Sequence, residues 1–416
     1  MSSFEYLNIR QSFIDKLKER SVIEPTAIQN LVIPALLAGK NILFRSATGT
    51  GKTFAYLLPA LQSLLEENNA NPGGGPAVLI CAPTLELCSQ IKTEVDFLAS
   101  PSDKSGGFAG RGCQTALLTG SVKIDRQIEL LKKNKPAVAV GNPGRLLSLA
   151  KMGKLKFKNL RYLVLDEADR LTVKECFEET KELLKIIERE TKSQTEKKLC
   201  LAACSATVEK KIRAQLGQLF SSAELIESND HEILRERIEH WAVFSEKRRR
   251  VQTLRSLLAA LKNKPSKSKK HRIKALVFTS KGDEAGKILS QLQYHHIPAA
   301  GLFGKMNKKP LTSTERKEAL DLFRDGSIEA LVSTDLAARG LDVKDVTHVI
   351  ALDVPQDSEN YIHRCGRTGR AGKRGVMVTI GDETQMRLLA LLEKKLKIRV
   401  MPKELYGGQI RAPVLD

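Results

Sequence analysis

From Asn41 onward, short apolar runs alternate with longer stretches of helical spacing. The runs Asn41–Phe44, Ala77–Ala82, Gln114–Leu118, Ala137–Val140, Tyr162–Leu165 and Leu199–Ala203 have the length and apolar continuity of buried strands. Such alternation predicts βαβ units, in which a parallel sheet is covered by helices on both faces. The pattern fades between about Ser221 and Ser245. A second series then follows, with strands expected at Ala275–Thr279, Ile297–Leu302, Glu329–Ser333, His348–Leu352 and Val376–Ile380. The chain therefore reads as α/β, with one unit over residues 1–230, a second over 231–416, and a boundary near 226–236. In open sheets of this kind, binding residues gather where strands end.

Three strings carry chemistry within this frame. Ser46-Ala47-Thr48-Gly49-Thr50-Gly51-Lys52-Thr53 follows an expected strand and opens a helical stretch. Its glycines let backbone N–H groups face the phosphates of a nucleoside triphosphate, Lys52 adds a point charge, and the Thr53 hydroxyl can bind Mg²⁺. Ser46 stands where a strict phosphate-loop pattern has glycine. Asp166-Glu167-Ala168-Asp169 comes directly after Tyr162–Leu165, and carboxylates at such a strand end can hold Mg²⁺ and orient a water. His363-Arg364-Cys365-Gly366-Arg367-Thr368-Gly369-Arg370 sets three arginines beside glycines, a combination suited to gripping phosphates during phosphoryl transfer. Acids and arginines lie in different halves, which predicts an ATPase whose site is completed when two lobes close. The second half has no phosphate loop of its own. Gly73-Gly74-Gly75 is not followed by Gly-Lys-Thr and reads as a turn.

With further strings in the same order, the chain resembles the DEAD-box ATP-dependent RNA helicases of helicase superfamily 2, from Phe4 to about Leu396. Glu24-Pro25-Thr26-Ala27-Ile28-Gln29, with Phe4 upstream, resembles the adenine-reading Q motif. Ser205-Ala206-Thr207 matches the coupling motif, and Ser333-Thr334-Asp335-Leu336-Ala337-Ala338-Arg339-Gly340-Leu341-Asp342 the motif whose last aspartate holds the ribose. The resemblance implies two tandem RecA-like lobes, each a mainly parallel sheet covered by helices, with ATP in the cleft between them. It implies ATP and Mg²⁺ as cofactors. Gln29, whose amide has both donor and acceptor, would read adenine while Phe4 packs on the base. Thr48, Gly49, Thr50, Gly51, Lys52, Thr53, Gly340 and Asp342 would bind the nucleotide, with Thr53 and Asp166 at the metal. Lys52 and Glu167 would be catalytic, Glu167 acting on the attacking water. Arg367 and Arg370 would be arginine fingers, and His363 would link the ATP and RNA sites. Asp169, Ser205 and Thr207 would couple hydrolysis to RNA. RNA would be held through its backbone by Pro83, Thr84, Gly120, Gly144, Arg145, Arg316 and Thr334.

Departures from the family pattern fall on the RNA side. Leu85 replaces an arginine after Pro83-Thr84, Ser121 replaces a glycine after Gly120, Asn142 replaces a threonine before Pro143-Gly144-Arg145, and Ser313 replaces a glutamine three residues before Arg316. Each lost phosphate contact flattens the salt dependence of binding, by about 0.7 per contact for single strands. Three functions are therefore open at this point: an RNA-dependent ATPase that unwinds short duplexes locally, an ATP-dependent RNA clamp or assembly factor with weak unwinding, and a DNA helicase built on the same lobes.

Composition narrows the partner. The 416 residues carry 68 Lys+Arg against 48 Asp+Glu, a net charge of +20, with a pI near 9.6. So basic a chain suits a polyanion. Aromatic residues make up only 5%, which favours phosphate contacts over base stacking. Two basic runs, Lys247-Arg248-Arg249-Arg250 and Lys262 to Lys274, read as solvated segments, the second also as a candidate RNA-gripping loop. Seven scattered cysteines lack metal-ligand spacing, and Cys81 and Cys200 fall in expected strands as small buried residues. There is no signal-peptide pattern at Met1-Ser2-Ser3-Phe4-Glu5 and no apolar stretch near roughly 20 residues. A cytoplasmic monomer without membrane contact is the expectation, and regulatory protein partners are compatible with it. The tail Met401–Asp416 shows no recognition module.

Overall fold

The computed structural model describes residues 3–45, 50–66, 75–100, 114–192, 199–205, 210–227, 236–262, 273–303, 305–306, 309–338, 343, 345–355, 357–369 and 373–413. The chain divides into two compact units, one holding described residues 3–45 and 50–227 and the other described residues 236–413.

In the first unit the strands are β1 (Ile42–Arg45), β2 (Val78–Cys81), β3 (Thr115–Leu118), β4 (Val138–Gly141), β5 (Tyr162–Leu165), β6 (Cys200–Ser205) and β7 (Glu224–Glu227). They form one parallel sheet in the order β3-β4-β2-β5-β6-β1-β7. Alternate side chains enter opposite cores. Ile42, Phe44, Val78, Ile80 and Val164 pack on one face, and Leu43, Leu79, Cys81, Leu163 and Leu165 on the other. Both faces are apolar, which is why these runs lack polar alternation, and each such side chain contributes about 1.5–3 kcal/mol on burial. Register aligns the ends: Arg45 lies beside Ser205, and Leu165 beside both Ala203 and Cys81. The C-terminal ends of β1, β6, β5 and β2 therefore lie side by side along one edge.

The second unit contains β8 (Ile238–Phe244), β9 (Ala275–Phe278), β10 (Ala299–Leu302), the two-residue strands β11 (Lys305–Met306) and β12 (Lys309–Pro310), β13 (Ala330–Ser333), β14 (His348–Ala351), β15 (Gly375–Gly381), β16 (Val400–Tyr406) and β17 (Gln409–Arg411). Apart from the β11–β12 ladder, they form one sheet ordered β10-β13-β9-β14-β15-β8-β16-β17, parallel except for the final β16–β17 pair. Leu276 and Phe278 face one core, Ala275 and Val277 the other.

Strands arise where the apolar runs predict them, with β5 matching its run end for end. β10 starts two residues late, because Pro298 has no N–H to give to a ladder while its carbonyl accepts from Glu329 and Ala330. Six strands were not expected, among them the two-residue β11 and β12. β7 is a largely exposed edge. β8 sits inside the second sheet although Glu239 and His240 interrupt its apolar character. His240 is 2% exposed there, and its Nδ1 lies 3.0 Å from the Tyr361 hydroxyl, with the rings stacked. The tail, silent as sequence, adds β16 to β8 and folds back as β17. Among the described residues no helix is long and apolar enough to cross a membrane.

Candidate active site

In the first unit the phosphate loop meets the Q-like segment directly. Gly51 has φ +88° and precedes the helix Lys52–Glu66. A Cβ at Gly51 would lie 2.4 Å from Gln29 Nε2, so both backbone and space demand glycine. Gln29 is 1% exposed and completes a capping box on the helix Ala27–Leu37. The Thr26 N–H donates to Gln29 Oε1 at 2.9 Å, and the Gln29 N–H donates to Thr26 Oγ1 at 3.4 Å. Gln29 Nε2 donates to the Gly51 carbonyl at 3.0 Å. The amide donor thus ties the helix to the phosphate loop, while one acceptor position closes the capping box. A second lone pair and a second N–H remain for a base edge. Phe4 is 1% exposed within the apolar core beside Leu7 and Ile9.

Asp166 follows β5 and is 4% exposed. Its Oδ2 accepts from the Tyr56 hydroxyl at 2.8 Å, and its Oδ1 accepts from the Glu167 N–H at 2.9 Å and the Cys204 thiol at 2.8 Å. Burial, reinforced by the Asp166 carboxylate, holds the Tyr56 phenol and the Cys204 thiol well above their ordinary values, so both are neutral donors. Glu167 adopts the left-handed region, φ 52° and ψ 53°, a cost of about 1–2 kcal/mol for a residue with a Cβ. Its carbonyl receives the Arg170 and Leu171 N–H groups, starting the short helix Ala168–Leu171. Burial raises the Asp169 carboxyl above its usual range, opposed by Lys52, a hydrogen bond with Ser205, and Arg170. Asp169, Lys52 and Ser205 are therefore neighbours, Ser205 closing β6 at 1% exposure.

The RNA-side candidates of this unit follow β2, β3 and β4. Thr84 Oγ1 accepts from the Leu87 N–H at 3.2 Å, capping the helix Leu85–Ala99, with Pro83 just before it. Leu85, where the family has arginine, is the first residue of that helix. Gly120 has open space where a Cβ would stand, and Ser121 Oγ lies 3.1 Å from Thr119 Oγ1. A Cβ at Gly144 would press 2.8 Å from a Glu179 carboxylate oxygen. Arg145 Nη1 donates to the Val122 carbonyl and to Gln127 Oε1, each at 2.9 Å, leaving its other N–H groups for an anion.

In the second unit, Arg364 is a residue the sequence misplaces. Instead of joining a set of phosphate-gripping arginines, its side chain is 1% exposed and consumed locally. Nε and Nη2 grip Asp335 Oδ1 and Oδ2 at 2.7 Å each, and Nη1 reaches the Asp353 carbonyl at 2.8 Å and Oδ1 at 2.9 Å. These bonds fix the helix Ser358–Cys365, which carries His363 (7% exposed) and ends just before Arg367 (6% exposed). The Arg367 N–H donates to the Arg364 carbonyl at 3.1 Å. Thr334 follows β13, and Arg316 lies on the helix Ser313–Asp325, capped by Thr312 and Glu315. Thr48, Gly49, Thr207, Gly340, Asp342 and Arg370 lie outside the described residues, as does most of the basic run 262–274.

Removing the Arg364 fork strands two carboxylates. Arg364→Met should destabilise the second unit by about 3 kcal/mol, the low end for breaking a buried pair because both acids keep some exposure. Lysine should rescue little, since it lacks the planar fork. Trp241, the single tryptophan, lies in β8, so urea denaturation followed by its fluorescence reads this unit alone. An unchanged midpoint would refute the assignment.

The sequence also passes over Tyr56 and Cys204. The only available signal was position: Tyr56 comes one helical turn after Lys52, and Cys204 directly before Ser205.

Comparison with known proteins agrees with this arrangement. Residues 26–214 match the DEAD/DEAH box helicase family and residues 249–372 the helicase conserved C-terminal domain. The chain is 33% identical over 399 residues to the DEAD-box ATP-dependent RNA helicase CshC of Bacillus cereus, covering 96% of this chain and 92% of that protein. It is 32% identical over 418 residues to the ATP-dependent RNA helicase CshA of Listeria monocytogenes, covering 99% and 73%. The structure of S. cerevisiae Dbp5 bound to RNA and ADP BeF3 aligns with a TM-score of 0.79 at 22% identity over 97% of this chain and 96% of that one. The two units are tandem RecA-like domains, and the chain belongs to the DEAD-box ATP-dependent RNA helicase family.

Proposed function

We propose that this protein is an RNA-dependent ATPase that opens short RNA duplexes locally. The observation that carries the reading is the cluster at one sheet edge of the first unit. There Lys52 and Thr53 open one helix, Asp166 and Glu167 follow the neighbouring β5, and Asp169 meets Ser205. In this reading Gln29 uses its spare lone pair and N–H on adenine, and Lys52 sits on phosphate. Thr53 and Asp166, both hard oxygen donors, fit Mg²⁺ and would hold it. When bound, it neutralises charge on the β- and γ-phosphate oxygens. Glu167 orients a water and takes its proton as the water oxygen attacks the γ-phosphorus and ADP leaves. Arg367 and Arg370, from the second unit, stabilise charge on the transferring group, and Gly340 and Asp342 contact the nucleotide. Asp169, Ser205 and Thr207 transmit the state of that site toward RNA, with His363 in the second unit.

RNA would lie on Pro83, Thr84, Gly120, Gly144 and Arg145 in the first unit and on Arg316 and Thr334 in the second, through its sugar-phosphate backbone. The net charge of +20 supports a polyanionic partner. The inward bonds of Arg145 and the apolar Leu85 favour a second reading, an ATP-dependent RNA clamp that unwinds weakly. A monomer acting in the cytoplasm completes the proposal; free buried thiols such as Cys81, Cys88 and Cys200 suit a reducing compartment. Steady-state ATP hydrolysis with RNA, with equal DNA and with neither tests the main reading, and RNA alone should stimulate. Turnover indifferent to RNA would overturn it. Strand separation measured in the same reactions distinguishes the unwinder from the clamp.

A further inference from the structure

We propose that Tyr56 is a positioning residue for the metal-side carboxylate of the ATP site, its hydroxyl holding Asp166 and setting which of its lone pairs faces the cation. The inference rests on the reading above that Asp166 helps to hold Mg²⁺. Tyr56 is fully buried on the helix Lys52–Glu66, one turn beyond Lys52. Its hydroxyl donates to Asp166 Oδ2 at 2.8 Å, and a carboxylate oxygen that accepts a buried proton in a fixed direction keeps its other lone pair aimed elsewhere, where a hard cation can take it.

The acceptor count on Asp166 points the same way. A carboxylate offers about four lone-pair sites. The Glu167 N–H and the Cys204 thiol both fall on Oδ1, and Tyr56 takes one site of Oδ2. The site left over is on Oδ2, the oxygen Tyr56 holds. The Tyr56 hydroxyl thus joins the phosphate-loop helix to the end of β5 through Asp166. Cys204 adds a second tether from β6. Nothing about the phosphate-loop pattern requires a hydroxyl at position 56. A phenylalanine would fill the same apolar space, so the hydroxyl is explained by its bond to Asp166.

The test is binding of a fluorescent, non-hydrolysable ATP analogue to the full chain, titrated with MgCl₂ and without RNA, so that no turnover enters the readout. Tyr56→Phe should raise the Mg²⁺ concentration for half-maximal binding by about ten-fold, the lower range for losing a group that orients a metal ligand, and leave the Mg²⁺-free affinity unchanged. A shift under about two-fold overturns the inference. So does an equal loss of affinity with and without Mg²⁺, which is what loosened packing of the helix would give. Asp166→Asn separates the two layers. If it binds with wild-type Mg²⁺ dependence, the metal role of Asp166 falls and takes the inference with it. If Asp166→Asn loses that dependence while Tyr56→Phe keeps it, only the inference falls.

Discussion

Arg367→Ala is expected to lower RNA-stimulated ATP turnover by about 10³–10⁵-fold, the range of an arginine finger in phosphoryl transfer. The size follows from what the residue would do. Charge that builds on the γ-phosphoryl oxygens in the transition state is met by a guanidinium only at that moment, so its loss appears in turnover and little in ATP binding. The local structure favours this division. Arg364 carries the bonds that hold the helix Ser358–Cys365 to Asp335 and Asp353, and truncating Arg367 leaves those bonds in place. Arg367→Lys should recover little, because an ammonium lacks the planar fork. Single-turnover hydrolysis at saturating RNA, beside equilibrium nucleotide binding, measures both halves of the claim. Turnover within ten-fold of wild type, or ATP affinity falling in step with turnover, would remove Arg367 from the reacting centre.

The contrast between Arg364 and Arg367 shows where sequence reading runs out. Both are arginines in one eight-residue string, and residue type and spacing give them the same reading. What separates them is that Asp335 and Asp353 lie two residues past the ends of β13 and β14, in a sheet of order β13-β9-β14. That order is set by tertiary packing and leaves no mark in local pattern. The same reason hides Tyr56, whose partner Asp166 lies 110 residues away. The double-wound architecture was legible because strands buried on both faces must be apolar at every position, which makes β1, β2, β4, β5 and β9 visible as runs. β8 was not, since His240 sits in a core against Tyr361, 121 residues later. β16 was missed for a different reason: it lies near the sheet edge, half-buried, with Pro402, Lys403 and Glu404 in sequence, so its periodicity is weak.

Burial and bonding explain why Leu85 and Ser121, two of the departures on the RNA side, are tolerated by the fold. Leu85 begins a helix already capped by Thr84, so the missing arginine removes a surface charge and no structural bond. Ser121 stands beside Gly120, whose own position opens to free space. The ATP-side residues have no such slack. Gly51 is closed in by Gln29, and Asp166 has three donors on its two oxygens. Change is therefore permitted where contacts are single and exposed, and resisted where one side chain serves several partners.

Glu167→Gln tests the other reacting group, with an expected fall in turnover of about 10²–10⁴-fold, the usual contribution of a positioned general base. Glutamine keeps the length and a carbonyl oxygen that can still orient water, but it cannot accept the proton as the water attacks. The substitution is clean for a structural reason. The bond from residue 167 to Asp166 Oδ1 comes from the backbone N–H, so the Asp166 cluster with Tyr56 and Cys204 stays intact. The left-handed turn at Glu167 is also a backbone feature, and glutamine pays the same strain as glutamate there. ATP and RNA affinities should therefore hold within a few-fold while hydrolysis stalls, leaving a nucleotide-bound complex on RNA that persists. Pre-steady-state hydrolysis measured with RNA retention after dilution distinguishes this from general damage: slow chemistry with long-lived RNA binding supports the base, whereas slow chemistry with lost ATP binding means that residue 167 shapes the pocket instead.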